Sequence, residues 1–310
     1  MFGANHTVPN FLLLGFQNLQ TFNYVLVVLF FLIYTFTVTS NLLIVVLVAM
    51  APSLKTPMYF FFTQLSVSDI LLSTNITPNM LHVLLNGGST ISVTGCITQL
   101  GVHSILTATE CLFLTVMSYD RYVAICNPLH YVSIMSHKIC VQMIMCSWLS
   151  AFLLILVILL LISKLRFCGH QIFDHYFCDF GPLLELSCSE QDFIFIIHLV
   201  DYALATLLAF FPFVYISFTY ICIFITIFGI SSTQKAFSTC SSHLIVVSMY
   251  YGTLIMVYMA PSKGHSLNFN KLLSLLYTAG TPCLNPIIYS LRNQEIKKAF
   301  MRCVMSFSHK

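Results

Sequence analysis

The chain has 310 residues, of which 58% are hydrophobic and 7% charged, with a formal net charge of +3. This balance excludes a soluble globular domain, and bases spread along a membrane face give no ground for a nucleic-acid partner. About 20 apolar residues suffice to cross a hydrocarbon core about 30 Å thick, so the composition predicts a helical membrane protein.

Residues 1–23 lack a basic stretch followed by an apolar core, so they read as an extracellular N-terminus rather than a cleaved signal peptide. Asn5-His6-Thr7 there is a glycosylation sequon, with Asn5 as acceptor. Seven apolar runs follow within 24–291, near 24–50, 58–85, 96–122, 139–163, 193–228, 237–260 and 271–291. The expected fold is therefore an all-α membrane protein, a seven-transmembrane helix bundle. Asp69 and Glu110 fall near the middle of the second and third runs, and Pro282 and Pro286 interrupt the seventh. Such residues are tolerated in spans where they face the bundle rather than lipid. Two close carboxylates in low dielectric must share a proton or hold a cation, which makes Asp69 and Glu110 a candidate site for either.

The short connections set the orientation. With the N-terminus outside, nine Lys and Arg residues lie on the cytoplasmic side and four, including Lys271, outside. Of twelve cysteines, Cys96, Cys168, Cys178 and Cys188 then fall on the oxidising side, and these four allow three disulfide pairings. Cys111, Cys146, Cys222 and Cys283 read as free buried thiols. The connection from about 164 to 192 is long enough to form a lid. In the tail, 292–310, Ile296, Phe300 and Val304 recur at helical spacing among Lys297, Lys298 and Arg302, which predicts a short amphipathic helix on membrane lipid.

Several motifs stand at the ends of these runs: "LKTPMYFFFTQLSVSDI" (54–70), "MSYDRYVAICNPLHY" (117–131), Trp148, "HYFCDFGPLLELSCS" (175–189), "KAFSTCSSHL" (235–244) and "PCLNPIIYSLRN" (282–293). In the second of them Asp120 and Arg121 are adjacent where a guanidinium can bond the neighbouring carboxylate in a partly desolvated setting. In the last, Pro286 removes a helical hydrogen bond and permits a kink that would carry Tyr289.

Together and in this order the motifs resemble those of the olfactory (odorant) receptors, a branch of the rhodopsin-like G-protein-coupled receptors, over about residues 8–305. The resemblance implies a plasma-membrane receptor that binds a small odorant ligand and activates a stimulatory heterotrimeric G protein, raising cAMP, and not an enzyme. It implies pairing of Cys96 with Cys178 and of Cys168 with Cys188. It assigns the switch and coupling roles to Asp120, Arg121, Tyr122, Tyr220, Lys235, His243, Asn285, Pro286 and Tyr289, of which Tyr220, His243 and Tyr289 are expected to converge near Asp120 and Arg121, the two tyrosines in the active-state network. It also implies sodium at Asp69 and Glu110 as the one candidate cofactor. The segment before Lys235 is about three residues shorter than is usual in the family, which bears on coupling strength. Helical spacing with the family register predicts a ligand cavity under the lid lined by His103, Ser104, Thr107, Ala108, Leu204, Leu208, Tyr251, Leu254, Ile255, Tyr258 and Thr278, mainly apolar with scattered hydroxyls. Asp201 reads equally as a ligand partner or a lid contact. A transporter would instead show repeated halves with paired broken spans, which the sequence lacks.

Overall fold

A computed structural model describes residues 10–17, 22–168, 172–228, 233–259, 267–292 and 294–308. Helices dominate it: α1 (Asn23–Met50), α2 (Pro57–Asn86), α3 (Val93–Cys126), the short α4 (Tyr131–Ile134), α5 (His137–Ile162), the short α6 (Phe180–Glu185), α7 (Gln191–Ala205), α8 (Phe211–Phe228), α9 (Thr233–Met259), α10 (Leu267–Leu275), α11 (Thr281–Arg292) and α12 (Gln294–Ser308). Among the described residues, four stretches are long and apolar enough to cross a membrane by length and composition: α1, α3, α5 and the continuous run Gln191–Phe228 through α7 and α8. Their outward faces carry bare hydrocarbon, including Val28, Leu32, Leu160, Phe195, Phe211, Phe218 and Ile225. Apolar surface on that scale is stable only against lipid.

Local chemistry sets the ends of the helices. Pro57 opens α2 at a position where no backbone N–H is needed, and Gly87, at φ 65°, closes it in the left-handed conformation that a side chain would oppose. The Ser92 hydroxyl accepts from the Gly95 N–H at 3.0 Å and caps α3. Two π turns, Thr206–Phe210 and Leu276–Gly280, join α7 to α8 and α10 to α11. Each stands two residues before a proline, Pro212 and Pro282, whose ring displaces the carbonyl four positions back and whose missing N–H leaves that carbonyl free to bond elsewhere. The interruption at Pro282 was legible in the sequence. The matching one at Pro212, inside an unbroken apolar run, was not.

The bundle packs around α3, which touches α2, α5 and α8 along its length. Asn75 and Gln99 exchange side-chain-to-backbone hydrogen bonds of 3.0 Å between α2 and α3, and the Gln99 side-chain Oε1 accepts from the Cys178 N–H at 3.0 Å. At that end a three-stranded sheet departs from the all-α expectation. β1 (Asn10–Leu13) pairs antiparallel with β2 (Ser89–Ser92), Phe11 opposite Ile91, and parallel with β3 (Ile172–Phe173), Leu12 opposite Ile172. The strands bring residues before α1 under the 164–192 connection, where Phe11 and Leu13 are fully buried. Disulfides join Cys96 to Cys178 and Cys168 to Cys188. Among the thiols expected to be buried and free, Cys111 is buried; Cys146 is exposed on an apolar face of α5, and Cys222 and Cys283 are half-buried. The amphipathic helix forms as α12, but Ile296 turns inward and packs with Ala299 on the bundle instead of facing lipid, while Phe300 and Met301 remain exposed. Asn5 and the side chains of Lys235, Tyr258 and Val304 lie outside the described residues.

The Cys96–Cys178 bond closes a loop with a sequence separation of 82 residues. Replacing both cysteines by Ala is expected to remove about 2 to 4 kcal/mol of stability, read as a lowered thermal midpoint of the purified chain, with far-UV helical content retained.

Candidate ligand cavity and switch

Beneath the lid lies a cavity of about 390 Å³. Helix α3 supplies one wall with its 3.6-residue repeat, placing Leu100, His103, Ser104, Thr107, Ala108 and Cys111 on one side. Opposite it stand Leu204 and Leu208 of the α7–π stretch, with Leu254 of α9 and Tyr277 of the second π turn. Of the expected lining residues, seven face this space: His103, Ser104, Thr107, Ala108, Leu204, Leu208 and Leu254. Three lie elsewhere. Tyr251 is buried against the Phe213 ring at 5.1 Å, and Ile255 is 49% exposed on the outside of α9. Thr278 is bonded under the lid to Ser274 O at 2.7 Å and to the Tyr176 hydroxyl at 3.3 Å. The π turn before Thr281 shifts the helical register there, a rotation that periodicity alone does not foresee.

The structure adds a wall and a roof that sequence reasoning missed. Ile155, Ile158, Leu159 and Ile162 repeat on one face of α5 and line the cavity, a signal present in the sequence but uninformative in a helix apolar all round. The roof is Asp174, His175, Asp179 and Phe180, folded inward by the Cys178 bond. Lys271, expected as an exposed outer base, is instead 1% exposed; its Nζ donates to Asp174 Oδ1 at 2.6 Å and to Gly15 O at 2.8 Å. Gly15 holds φ 67°, and a Cβ there would meet Val83 Cγ1 at 2.9 Å, so glycine is required where the chain turns to present that carbonyl. One ammonium thus pins the N-terminal segment, the lid and α10.

His175 sits beside it, its ring 4.7 Å from both Tyr176 and Phe177. Burial, with the Lys271 charge adding to it, holds the imidazole neutral and pushes its pKa down to about 3. Burial of the Asp179 carboxyl raises its pKa, against the stabilising donation from the Phe180 N–H.

A second set of polar groups occupies the far end of α3. Arg121 Nε donates to Asp120 Oδ2 at 2.9 Å, and its Nη2 bonds the same oxygen. The Tyr131 hydroxyl of α4 donates to Asp120 Oδ1 at 2.8 Å, so both oxygens of a fully buried carboxylate are satisfied. Tyr131 ends the quoted "DRYVAICNPLHY" stretch, yet sequence reasoning gave it no role. Its phenol pKa is raised by burial and by the Asp120 charge, which keeps it a proton donor. The Tyr220 hydroxyl bonds His243 Nδ1 at 2.6 Å with the rings stacked. Tyr289 instead packs on Phe62 at 4.1 Å, and its buried hydroxyl has no hydrogen-bond partner among the described residues. Asp120, Arg121 and Tyr131 are bonded together and Tyr220 is bonded to His243, which lies within reach of the Arg121 charge, while the Tyr289 hydroxyl has no hydrogen-bond partner among the described residues. Tyr122 is half-buried in the same apolar cluster.

Between the two ends, Asn285 Nδ2 donates to both Asp69 oxygens at 3.2 and 3.0 Å, and Ser68 Oγ donates to Glu110 Oε1 at 3.1 Å. Asp69 is fully buried and Glu110 2% exposed. Asn285 precedes Pro286, so the helix break and the Asp69 contact share one turn of α11.

A lidded cavity and a guanidinium–carboxylate pair whose acid is fully buried are carried by one helix, α3, among helices that expose hydrocarbon, an arrangement that fits a helical membrane protein. The olfactory receptor family model matches residues 30–307. The chain is 43% identical to human olfactory receptor 6C4 over 293 residues, 94% of each chain, and 44% identical to mouse olfactory receptor 5P66 over 303 residues, 96% of each. It is 41% identical to human olfactory receptor 6C1 across 96% of each. The protein belongs to the olfactory receptor family.

Because unfolded histidine titrates near pH 6.5 and folded His175 near 3, acidification through that window protonates the unfolded chain first and lowers stability. Between about pH 7 and pH 5 the effect is on the order of 1 to 2 kcal/mol. The thermal midpoint of a His175→Phe variant is expected to fall less over that range than that of the parent chain.

Proposed function

We propose that this protein is an odorant receptor of the plasma membrane: seven spans across 24–291, residues 1–23 outside and 292–310 in the cytoplasm, with a small, mainly apolar ligand held under the lid. It couples to a stimulatory heterotrimeric G protein and raises cAMP. The observation that carries the reading is that one continuous helix, α3, bears both a wall of the cavity and the Asp120–Arg121 pair, to which Tyr131 of α4 is bonded. Ser104 and Arg121 are separated by roughly 25 Å of α3. A ligand that packs better when α3 and its neighbours shift biases the far end, and G protein bound there raises ligand affinity by the same factor.

In this reading the structure is the resting form. Arg121 is held by Asp120, and Tyr289, unbonded on Phe62, is available to join Arg121 and Tyr220 when α11 swings at Pro286. Lys235 and His243, on α9, belong to the coupling face. In cells expressing the chain with a cAMP reporter and a broad odorant panel, the intact receptor responds and Arg121→Ala does not. Tyr131→Phe weakens the restraint on Asp120 by about 1.5 to 3 kcal/mol, the range for a hydrogen bond to a charged group, and raises ligand-free cAMP severalfold.

The mid-bundle acids fit a hard monovalent cation by their donor set. Asp69 and Glu110 supply carboxylate oxygens, and the buried Ser73 hydroxyl, one turn from Asp69, has no partner among the described residues. Sodium there would offset one of the two negative charges, leaving the other to be met by a proton or by the donors around it, and would hold α2, α3 and α11 together. Raising sodium is expected to lower agonist potency in the parent receptor and to leave Asp69→Asn unaffected.

A further inference from the structure

The cavity walls are apolar, but their polar groups are of one kind. Four carboxylates face it, those of Asp174, Asp179, Glu185 and Asp201, with no Lys or Arg among the described lining residues. Asp174 is neutralised by Lys271. Asp179 receives the Phe180 N–H. Asp201, on the last turn of α7, forms no hydrogen bond or ion pair among the described residues and lies near enough to Asp179 for the two charges to repel. A half-buried acid left beside a second acid is costly unless a cation joins them.

An independent observation comes from the facing helix. His103, 6% exposed on the α3 wall of the same cavity, has Nδ1 buried with no hydrogen-bond partner, and the Thr107 hydroxyl one turn on is likewise unpartnered. Buried polar atoms are rarely left so unless something else fills the need. A neutral imidazole nitrogen and a hydroxyl oxygen both accept hydrogen bonds, as carboxylates do. Phe180, Tyr202 and Tyr277 also line the cavity, and aromatic rings can attract positive charge.

We propose that this cavity takes a protonated primary amine with a compact apolar body, its ammonium group beside Asp201 and Asp179 and its hydrocarbon against the α5 wall. An ammonium brings three N–H donors and a positive charge to a site made of acceptors and unbalanced negative charge. A carboxylic acid of the same skeleton would be repelled, and an alcohol would satisfy one acceptor without relieving the acids. Among the described residues no three metal-ligating side chains approach closely enough to hold a metal ion, so an organic cation is the better match. Asp201 is then the specificity-determining residue. The inference rests on the reading of this cavity as the odorant site.

The test uses the full-length receptor in lipid nanodiscs and ligand-dependent shifts of its thermal midpoint. Hexylamine and cyclohexylmethylamine are compared with the alcohols and carboxylic acids of the same skeletons near pH 7, where the amines are protonated. In the parent chain the amines are expected to bind at least about tenfold more tightly than the matched alcohols. Asp201→Asn is expected to lose that preference while retaining alcohol binding, and Asp201→Glu to keep it. Alcohols or acids binding as tightly as the amines, an amine preference unchanged in Asp201→Asn, or no amine binding at all would each overturn the proposal. The matched-skeleton comparison on the parent chain stands even if a variant fails to fold. Stabilisation by alcohols, aldehydes or esters alone would sink the amine assignment and leave the odorant site standing. Stabilisation by no member of a broad panel would sink both.

Discussion

A polar group inside a lipid-facing bundle has no water to fall back on, so most are paired within the protein, and this constraint organises the molecule. Asp69 finds Asn285, Glu110 finds Ser68, Asp120 finds Arg121 and Tyr131, Tyr220 finds His243, and Lys271 finds Asp174 and the Gly15 carbonyl. Apolar packing holds the helices together but is nearly indifferent to small rotations, because hydrocarbon meets hydrocarbon on either side. Directional bonds are not indifferent. They fix which faces of α2, α3 and α11 meet, and each pair is a place where the arrangement can be exchanged for another.

The distribution of these bonds divides the bundle by mobility. At the lid end, two disulfides, a small sheet and the Lys271 contacts converge on a few residues, and Gln99 ties the Cys178 backbone to α3 and α2. At the other end, a tyrosine, a guanidinium and a carboxylate hold the chain with no covalent link. Between them stand two π turns and Pro286, where the helical ladder is already interrupted and a change of direction costs least. A cross-linked lid end, interrupted helices and a far end held by hydrogen bonds form the series that the proposed receptor would use to pass a small displacement along α3.

Much of the helical architecture was legible in the sequence because a membrane span leaves so coarse a signature. The run expected at 58–85 forms as Pro57–Asn86, and that at 139–163 as His137–Ile162. The capping chemistry of Pro57, Gly87 and Ser92 is local, so its effect on the ends was readable too. The cavity was readable in part. His103, Ser104, Thr107 and Ala108 follow from one unbroken helix, whereas Tyr251 and Thr278 depended on rotations of elements whose register shifts at a π turn or rests on contacts made elsewhere. The α5 wall escaped notice because a helix apolar on every side gives periodicity nothing to work with.

By itself, then, the sequence determined the class of fold, the approximate positions of the long apolar helices and the identity of the scarce polar residues within them. These follow from composition and from interactions within a turn or two of chain. Only the tertiary structure decided who those residues meet. Lys271 reads as a surface base until β1 and the lid close over it. Asp120 needs Tyr131 from the next connection to satisfy its second oxygen. Asp201 faces a cavity whose other walls lie far away in the chain. The physical reason is common to all three. Burial and pairing are properties of a site assembled from distant segments, and no spacing within one segment encodes them.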